Sequence, residues 1–162
     1  MKFIKLTQNQ FTLVDDGDFE KFNKVKWYAT WDCNNKNFYA RRSGPRDKNR
    51  KQHPVMLHRI ILGLNDPNIK VDHKNRETLD NRKQNLRICT NSQNSANRKG
   101  PQINSTSGFR GVSWRQDTCK WWARISVAGK NKNLGFFTKK SEAISAYAKA
   151  NRKYYGDFGG TF

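Results

Sequence analysis

The chain has 162 residues, enough for one medium domain or two small ones, and carries 32 Lys and Arg against 13 Asp and Glu. A net charge of +19 and a pI near 10.2 demand a polyanionic partner, either nucleic acid or an anionic membrane surface. The mean hydropathy is −1.01. No apolar run approaches the ~20 residues of a membrane span, MKFIKL gives way to TQNQ too soon for a secretory signal, and no basic helix carries a broad apolar face. Nucleic acid is therefore the expected partner, with no membrane and no small-molecule substrate.

Residues 1–51 carry short apolar runs, Phe3–Leu6, Phe11–Val14, Val25–Trp31 and Phe38–Ala40, some separated by the turn-prone Asp15-Asp16-Gly17-Asp18 and Asn34-Asn35. They predict a β-rich N-terminal region of small antiparallel strands. Arg41–Lys51 is a basic loop by composition. Residues 52–99 predict a second unit: a short helix in Val55–Leu64 ending near Gly63, a strand at Ile69–Asp72, a polar loop at Lys74–Gln84, a strand at Leu86–Cys89, and a helix over Asn91–Lys99 capped by Thr90 or Asn91. Residues 100–108 (GPQINSTSG) predict a linker. In 109–162, Phe109–Arg115, Lys120–Val127 and Lys132–Phe137 predict strands, and Thr138–Tyr155 a helix with Thr138 as N-cap and Gly156 just past its end. Its apolar face is Ala143, Ile144, Tyr147, Ala148, Tyr154 and Tyr155. Trp114, Trp121, Phe136 and Tyr147 are the expected aromatic core. The fold class is α+β.

Cys33, Cys89 and Cys119 are odd in number, far apart and never in a CxxC pair. They predict three ordinary thiols in a reducing cytoplasm, with no disulfide framework and no structural zinc.

The chemistry concentrates in Val71–Arg98, VDHKNRETLDNRKQNLRICTNSQNSANR. Phosphodiester hydrolysis needs a base for the attacking water and stabilisation of charge on the phosphoryl and leaving oxygens. His73 suits the first task, with an unperturbed pKa of ~6.5. Asp72 is a hard ligand for the cation that performs the second, and adjacent residues at a strand end face opposite sides. Asn94, on the following helix, offers an amide oxygen, with Gln93 and Asn97 as rivals for that role. Two oxygen ligands suit Mg²⁺, with Mn²⁺ as a substitute, rather than Zn²⁺. His58 is expected either to buttress the hairpin by a hydrogen bond or to contact DNA. His53 is expected to be exposed. Of Arg82, Arg87, Arg98 and Lys99, roughly half are expected to touch the DNA backbone, Arg82 and Arg98 foremost.

This wording closely resembles the HNH endonuclease motif in its H-N-N variant, of the phage-type homing branch: LHRIILGL, then VDHKN, LDNRKQNLR and QNSANR. The resemblance implies a ββα-metal core at 52–99. In it His73 is the general base, Asp72 and Asn94 are metal ligands, and Asn85 organises the loop and orients the base. It implies a cytoplasmic enzyme of a bacterial or phage-infected cell. Asn94 stands where colicin-type members have a second His, which argues against a zinc cofactor.

FRGVSW, KWWARI, LGFF and SEAISAYAKA resemble an AP2 domain, which lays a three-stranded sheet into the major groove with a helix behind it. The family places a DNA contact at Arg110. Strand alternation independently assigns an outward face: if Val112, Trp114, Trp121, Ala123, Ile125, Leu134 and Phe136 face the helix, then Ser113, Arg115, Trp122, Arg124, Ser126, Asn131 and Asn133 face outward. Arg and Asn suit bidentate contacts with base edges. The expected function is a metal-dependent, site-preferring endonuclease acting on double-stranded DNA, the alternative a DNA-binding regulator with an inactive HNH core. No coiled coil or dimer patch is evident, and the oligomeric state is left open.

Overall fold

A computed structural model describes residues 1–98, 100 and 105–159. Lys99, residues 101–104 of the expected linker and the last three residues of the C-terminal region lie outside the described residues. The fold is α+β, with small antiparallel sheets and four helices. It divides into two compact units, Met1–Cys89 and Thr90–Phe162.

In the first unit, β1 (Lys2–Lys5) and β2 (Phe11–Val14) form an antiparallel pair with Phe3 opposite Leu13. Ile4, Leu6 and Val14 turn into the core. The segment expected to be a turn is instead the start of helix α1 (Asp16–Asn23). Asp15 flanks its first turn, and Asp16 and Asp18 lie within it, where carboxylates complement the exposed N–H groups and the helix dipole. Strands β3 (Tyr28–Asp32), β4 (Asn37–Arg46) and β5 (Gln52–Met56) form a meander with β4 in the middle.

Two expectations change here. The first half of the basic segment is strand, because Arg41, Arg42 and Ser43 pair with Met56, Val55 and Pro54. Gly44 permits this approach, since a Cβ there would collide with the His53 carbonyl oxygen. The apolar run expected to be all helix is therefore divided: Val55 and Met56 complete β5, and helix α2 is only Leu57–Ile61. Because β4 and β5 pair across residues 51 and 52, the β-rich region and the residues after it share one core, built on Trp27, Leu57, Phe22, Ala29 and Ala40. Strands β6 (Lys70–His73) and β7 (Leu86–Cys89) form an antiparallel pair, joined by a polar loop that ends in a single 3-10 turn, Lys83–Asn85.

The second unit opens with α3 (Asn91–Ala96). The Thr90 side chain accepts from the Gln93 backbone and the Gln93 side chain accepts from the Thr90 backbone, a reciprocal capping box. Strands β8 (Val112–Arg115), β9 (Lys120–Val127) and β10 (Lys130–Phe137) form an antiparallel sheet with β9 central, packed on helix α4 (Lys140–Tyr155). Gly111 has a positive φ and lies where a Cβ would strike the Tyr147 ring, so the chain can pass under α4 there. Helix α4 starts two residues later than expected, with Lys139 rather than Thr138 at the N-cap position, and Gly156 follows its end. Ala143 and Tyr147 are buried as expected. Ala150 and Asn151 are buried as well, whereas Tyr154 points outward.

The expected aromatic core is half right. Trp121 and Tyr147 pack in it, but Trp114 is 43% and Phe136 46% exposed. The reason for Phe136 is a register irregularity between Asn133 and Gly135. The irregularity shifts the alternation by one residue. Leu134 and Phe137 then pack on the core, and Phe136 joins the outer face opposite Trp122. Trp114 lies on edge strand β8, its ring edge-to-face on Trp121 at 5.2 Å.

Candidate active site and nucleic-acid interface

The β6–β7 hairpin presents Asp72 and His73 at the end of β6, directly opposite Arg87 and Leu86. Asp72 and His73 are 6% and 5% exposed. Arg87 donates from Nη2 and Nε to Asp72 Oδ2, at 2.6 and 2.8 Å.

Asn85 ties the polar loop at both ends. Its side-chain amide donates to the Asp80 carbonyl at 2.8 Å, its side-chain oxygen accepts from the Asn75 N–H at 3.0 Å, and its own carbonyl accepts from the Lys74 N–H at 2.9 Å. Asp80 adds a second tie, accepting from Asn75 Nδ2 at 2.9 Å and from Arg82 through both carboxylate oxygens at 2.8 and 2.7 Å. The Arg82 guanidinium holds the Asp80 carboxyl below the ordinary carboxylate range.

Behind His73 lies a chain of buried polar groups. The Asn81 side-chain oxygen is 3.4 Å from His73 Nε2. Asn81 Nδ2 donates to Thr12 Oγ1 at 2.7 Å, and Thr12 Oγ1 donates to the Leu79 carbonyl at 2.8 Å. Asn81 is 1% exposed, so its amide is fully committed to this framework. The His73 ring meets the face of His58 at 5.3 Å and 87° and lies 6.4 Å from Tyr39. Burial lowers the His73 pKa, and the Asn81 hydrogen bond and the Asp72 and Asp80 charges offset part of that. Burial, with the nearby charges of His73, Arg59 and Arg41, brings His58 down to about 3. Both imidazoles are thus neutral at neutral pH.

Residues 55–96 match the family model described as HNH endonuclease. Protein 3.8 of Escherichia phage T7 is 30% identical over 90 residues, covering 54% of this chain and 71% of that protein. The chain belongs to the family of Protein 3.8. No solved structure matches. An HNH domain implies a nucleic-acid substrate, and HNH domains generally use a divalent metal ion. A donor in the HNH segment of the first unit that fits such an ion is Asp72, a buried carboxylate paired with the Arg87 guanidinium. Among the described residues, no group of three His, Cys, Asp or Glu is placed to hold a metal.

The first unit thus brings together Asp72, His73 and Asn85, with His58 against His73. Arg82 is paired with Asp80. Asn94, Asn97 and Arg98 belong to the second unit. There Asn94 is exposed on α3, and Asn97 is buried at the end of that helix, its N–H donating to the Gln93 carbonyl at 3.1 Å. Arg110 donates to the Ala96 and Arg98 carbonyls at 2.9 and 3.0 Å, so its guanidinium caps the end of α3.

On the outer face of the β8–β10 sheet, Trp122 stacks on Phe136 at 6.0 Å and 12°. The Arg124 and Arg115 guanidinium groups lie 4.7 and 5.3 Å from the Trp122 ring centre. Trp122 Nε1 donates to the Asn133 side chain at 2.8 Å, and Arg115 is also bound to Asp117 at 2.7 and 3.0 Å. Arg124, Ser126, Asn131 and Asn133 are exposed and Ser113 half-buried. The Ser126 carbonyl accepts from the Tyr155 hydroxyl.

Sequence reasoning passed over Asn81, Thr12 and Tyr39, and it weighed Arg87 only as a DNA-backbone contact, whereas it pairs with Asp72. The strands expected at Ile69–Asp72 and Leu86–Cys89 set 72 near 86, and extending the first strand to His73 brings Arg87 opposite Asp72. Thr12 carried no local signal, because its role depends on a contact 69 residues away.

Proposed function

We propose that this protein is a metal-dependent, site-preferring DNA endonuclease of homing type, with His73 as general base. The observation that carries the reading is the arrangement of the β6–β7 loop inside the matched HNH segment: Asn85 closes the loop, and Asn81 holds the neutral His73 from behind. In the tautomer in which Nε2 donates to the Asn81 oxygen, Nδ1 is the basic nitrogen that would take a proton from water. Asp72 would hold the divalent cation, and the second ligand role stays with Asn94 on the family resemblance alone. Mg²⁺, with Mn²⁺ as a substitute, suits such oxygen donors, and when bound the ion would neutralise charge on the phosphoryl and leaving oxygens.

The nuclease core is assigned to 52–99 as a ββα-metal element, and 109–162 to an AP2-like reader of double-stranded DNA. Its reading face is Ser113, Arg115, Trp122, Arg124, Ser126, Asn131 and Asn133, with Phe136 added. Arg110 is better assigned to holding α3 than to DNA. The +19 charge supports a phosphate-bearing partner for the whole chain.

The Asp72–Arg87 pair favours a second reading, a DNA-binding regulator with an inactive core, because a carboxylate neutralised by a guanidinium has no need of a metal. Plasmid cleavage separates the two. Native protein with Mg²⁺ should nick or linearise supercoiled DNA, EDTA should stop it, and His73→Ala should lose roughly 10²–10⁴-fold in rate while still shifting DNA. Shifted but uncut DNA across Mg²⁺, Mn²⁺ and many inserts would establish the regulator.

A further inference from the structure

Asp72 and Arg87 face each other across β6 and β7, and both Arg87 donors converge on one carboxylate oxygen, Oδ2. The side chains of Arg87 and Asp72 are only 11% and 7% exposed. An ion pair this sheltered is not a screened surface contact, and removing one partner leaves a buried charge in search of another.

We propose that Arg87 is the resident counter-cation of Asp72 and competes with the divalent ion for that carboxylate, so that metal uptake requires the guanidinium to yield Oδ2. This rests on Asp72 being a metal ligand. It adds a role that the HNH resemblance does not assign: Arg87 keeps the free protein folded around its carboxylate and holds metal affinity down. A guanidinium keeps its charge at all working pH values, so this competition cannot be relieved by deprotonation.

The test is Mn²⁺ titration by calorimetry, with thermal melts in EDTA and in Mn²⁺, on the full chain as native protein, Arg87→Gln, Arg87→Lys and Asp72→Asn. Arg87→Gln should bind Mn²⁺ about tenfold or more tightly than native protein, and its melting temperature should rise further on Mn²⁺ addition. Arg87→Lys, which keeps the charge, should stay near the native affinity, and Asp72→Asn should lose binding. If Arg87→Gln is unfolded in EDTA, the expected result is that Mn²⁺ restores cooperative melting, and failure to restore it counts against the proposal. Arg87→Gln binding no tighter than native, with Asp72→Asn defective, overturns the competition and leaves the site standing. Native-like Mn²⁺ binding by Asp72→Asn removes the site itself.

Discussion

The two polar regions of this molecule are built in opposite ways. Around His73, polar side chains are buried and spend their hydrogen bonds on one another and on nearby backbone: Thr12 on the Leu79 carbonyl, Asn81 on Thr12 and His73, Asn85 on the backbone at both ends of its loop. On the β8–β10 sheet, most outward polar side chains stay in water, and the half-buried Trp122 is braced by Phe136, two guanidinium groups and Asn133. The first arrangement fixes a geometry at the cost of adaptability. The second leaves a surface that a ligand can reshape. A group that must act on one atom belongs in the first, and groups that must suit a long polyanion belong in the second.

The contrast can be broken in four ways. If the exposed basic surface carries DNA affinity by neutralising ~6–10 phosphates, binding should weaken by about 10³–10⁵ between 50 and 200 mM salt, measured by fluorescence anisotropy. A flat profile would remove the electrostatic account of the surface. Asn81→Ala should lower unfolding stability by about 1–3 kcal/mol in urea melts, because it leaves Thr12 and His73 without their partner in the interior. Native-like stability there would show the buried network to be decorative. Trp122→Ala should weaken DNA binding by about 1–3 kcal/mol if bases or sugars stack on it, while its urea midpoint barely moves. A stability loss without a binding loss would reverse the assignment of that face.

The fourth way is in pH. His58 is held near 3 when folded, against ~6.5 when unfolded, so between these values the unfolded chain binds more protons. Its contribution is complete above about pH 6.5 and declines as the pH falls, with a slope of at most ~1.4 kcal/mol per unit. His73 shifts in the same direction. His58→Gln should flatten the stability profile between about pH 6.5 and 4, and an unchanged slope would place the acid sensitivity elsewhere.

The parts legible in the sequence are those whose cause is local. The returning strand Leu86–Cys89, the cap at Thr90 and the outward parity of Trp122, Arg124 and Ser126 each follow from residues a few positions apart. Three features were not legible in that way. The helix at Asp16–Asn23 has the composition of a turn and is stabilised partly from afar, with Asp15 accepting from the Lys83 N–H at 2.8 Å. The irregularity at Asn133–Gly135 reverses one aromatic without changing the strand. In the site, Asp72, His73 and Asn85 carried their own signal, whereas Thr12, Tyr39 and His58, which join the nearby Asn81 around His73, come from elsewhere in the chain.

The bond between the first hairpin and the loop has a bearing on synthesis and on portability. Leu13 donates to the Leu79 carbonyl and accepts from the Asn81 N–H, both at 2.8 Å, so β2 is stitched to the segment that carries the site. The stretch matching the HNH family begins only at residue 55. Cut out as a cassette, it would leave Thr12 and Leu13 behind, and Asn81 would face His73 without its own anchor. On the ribosome the order is reversed: β2 emerges long before its partner exists, and the site cannot close until residue 81 has followed it out.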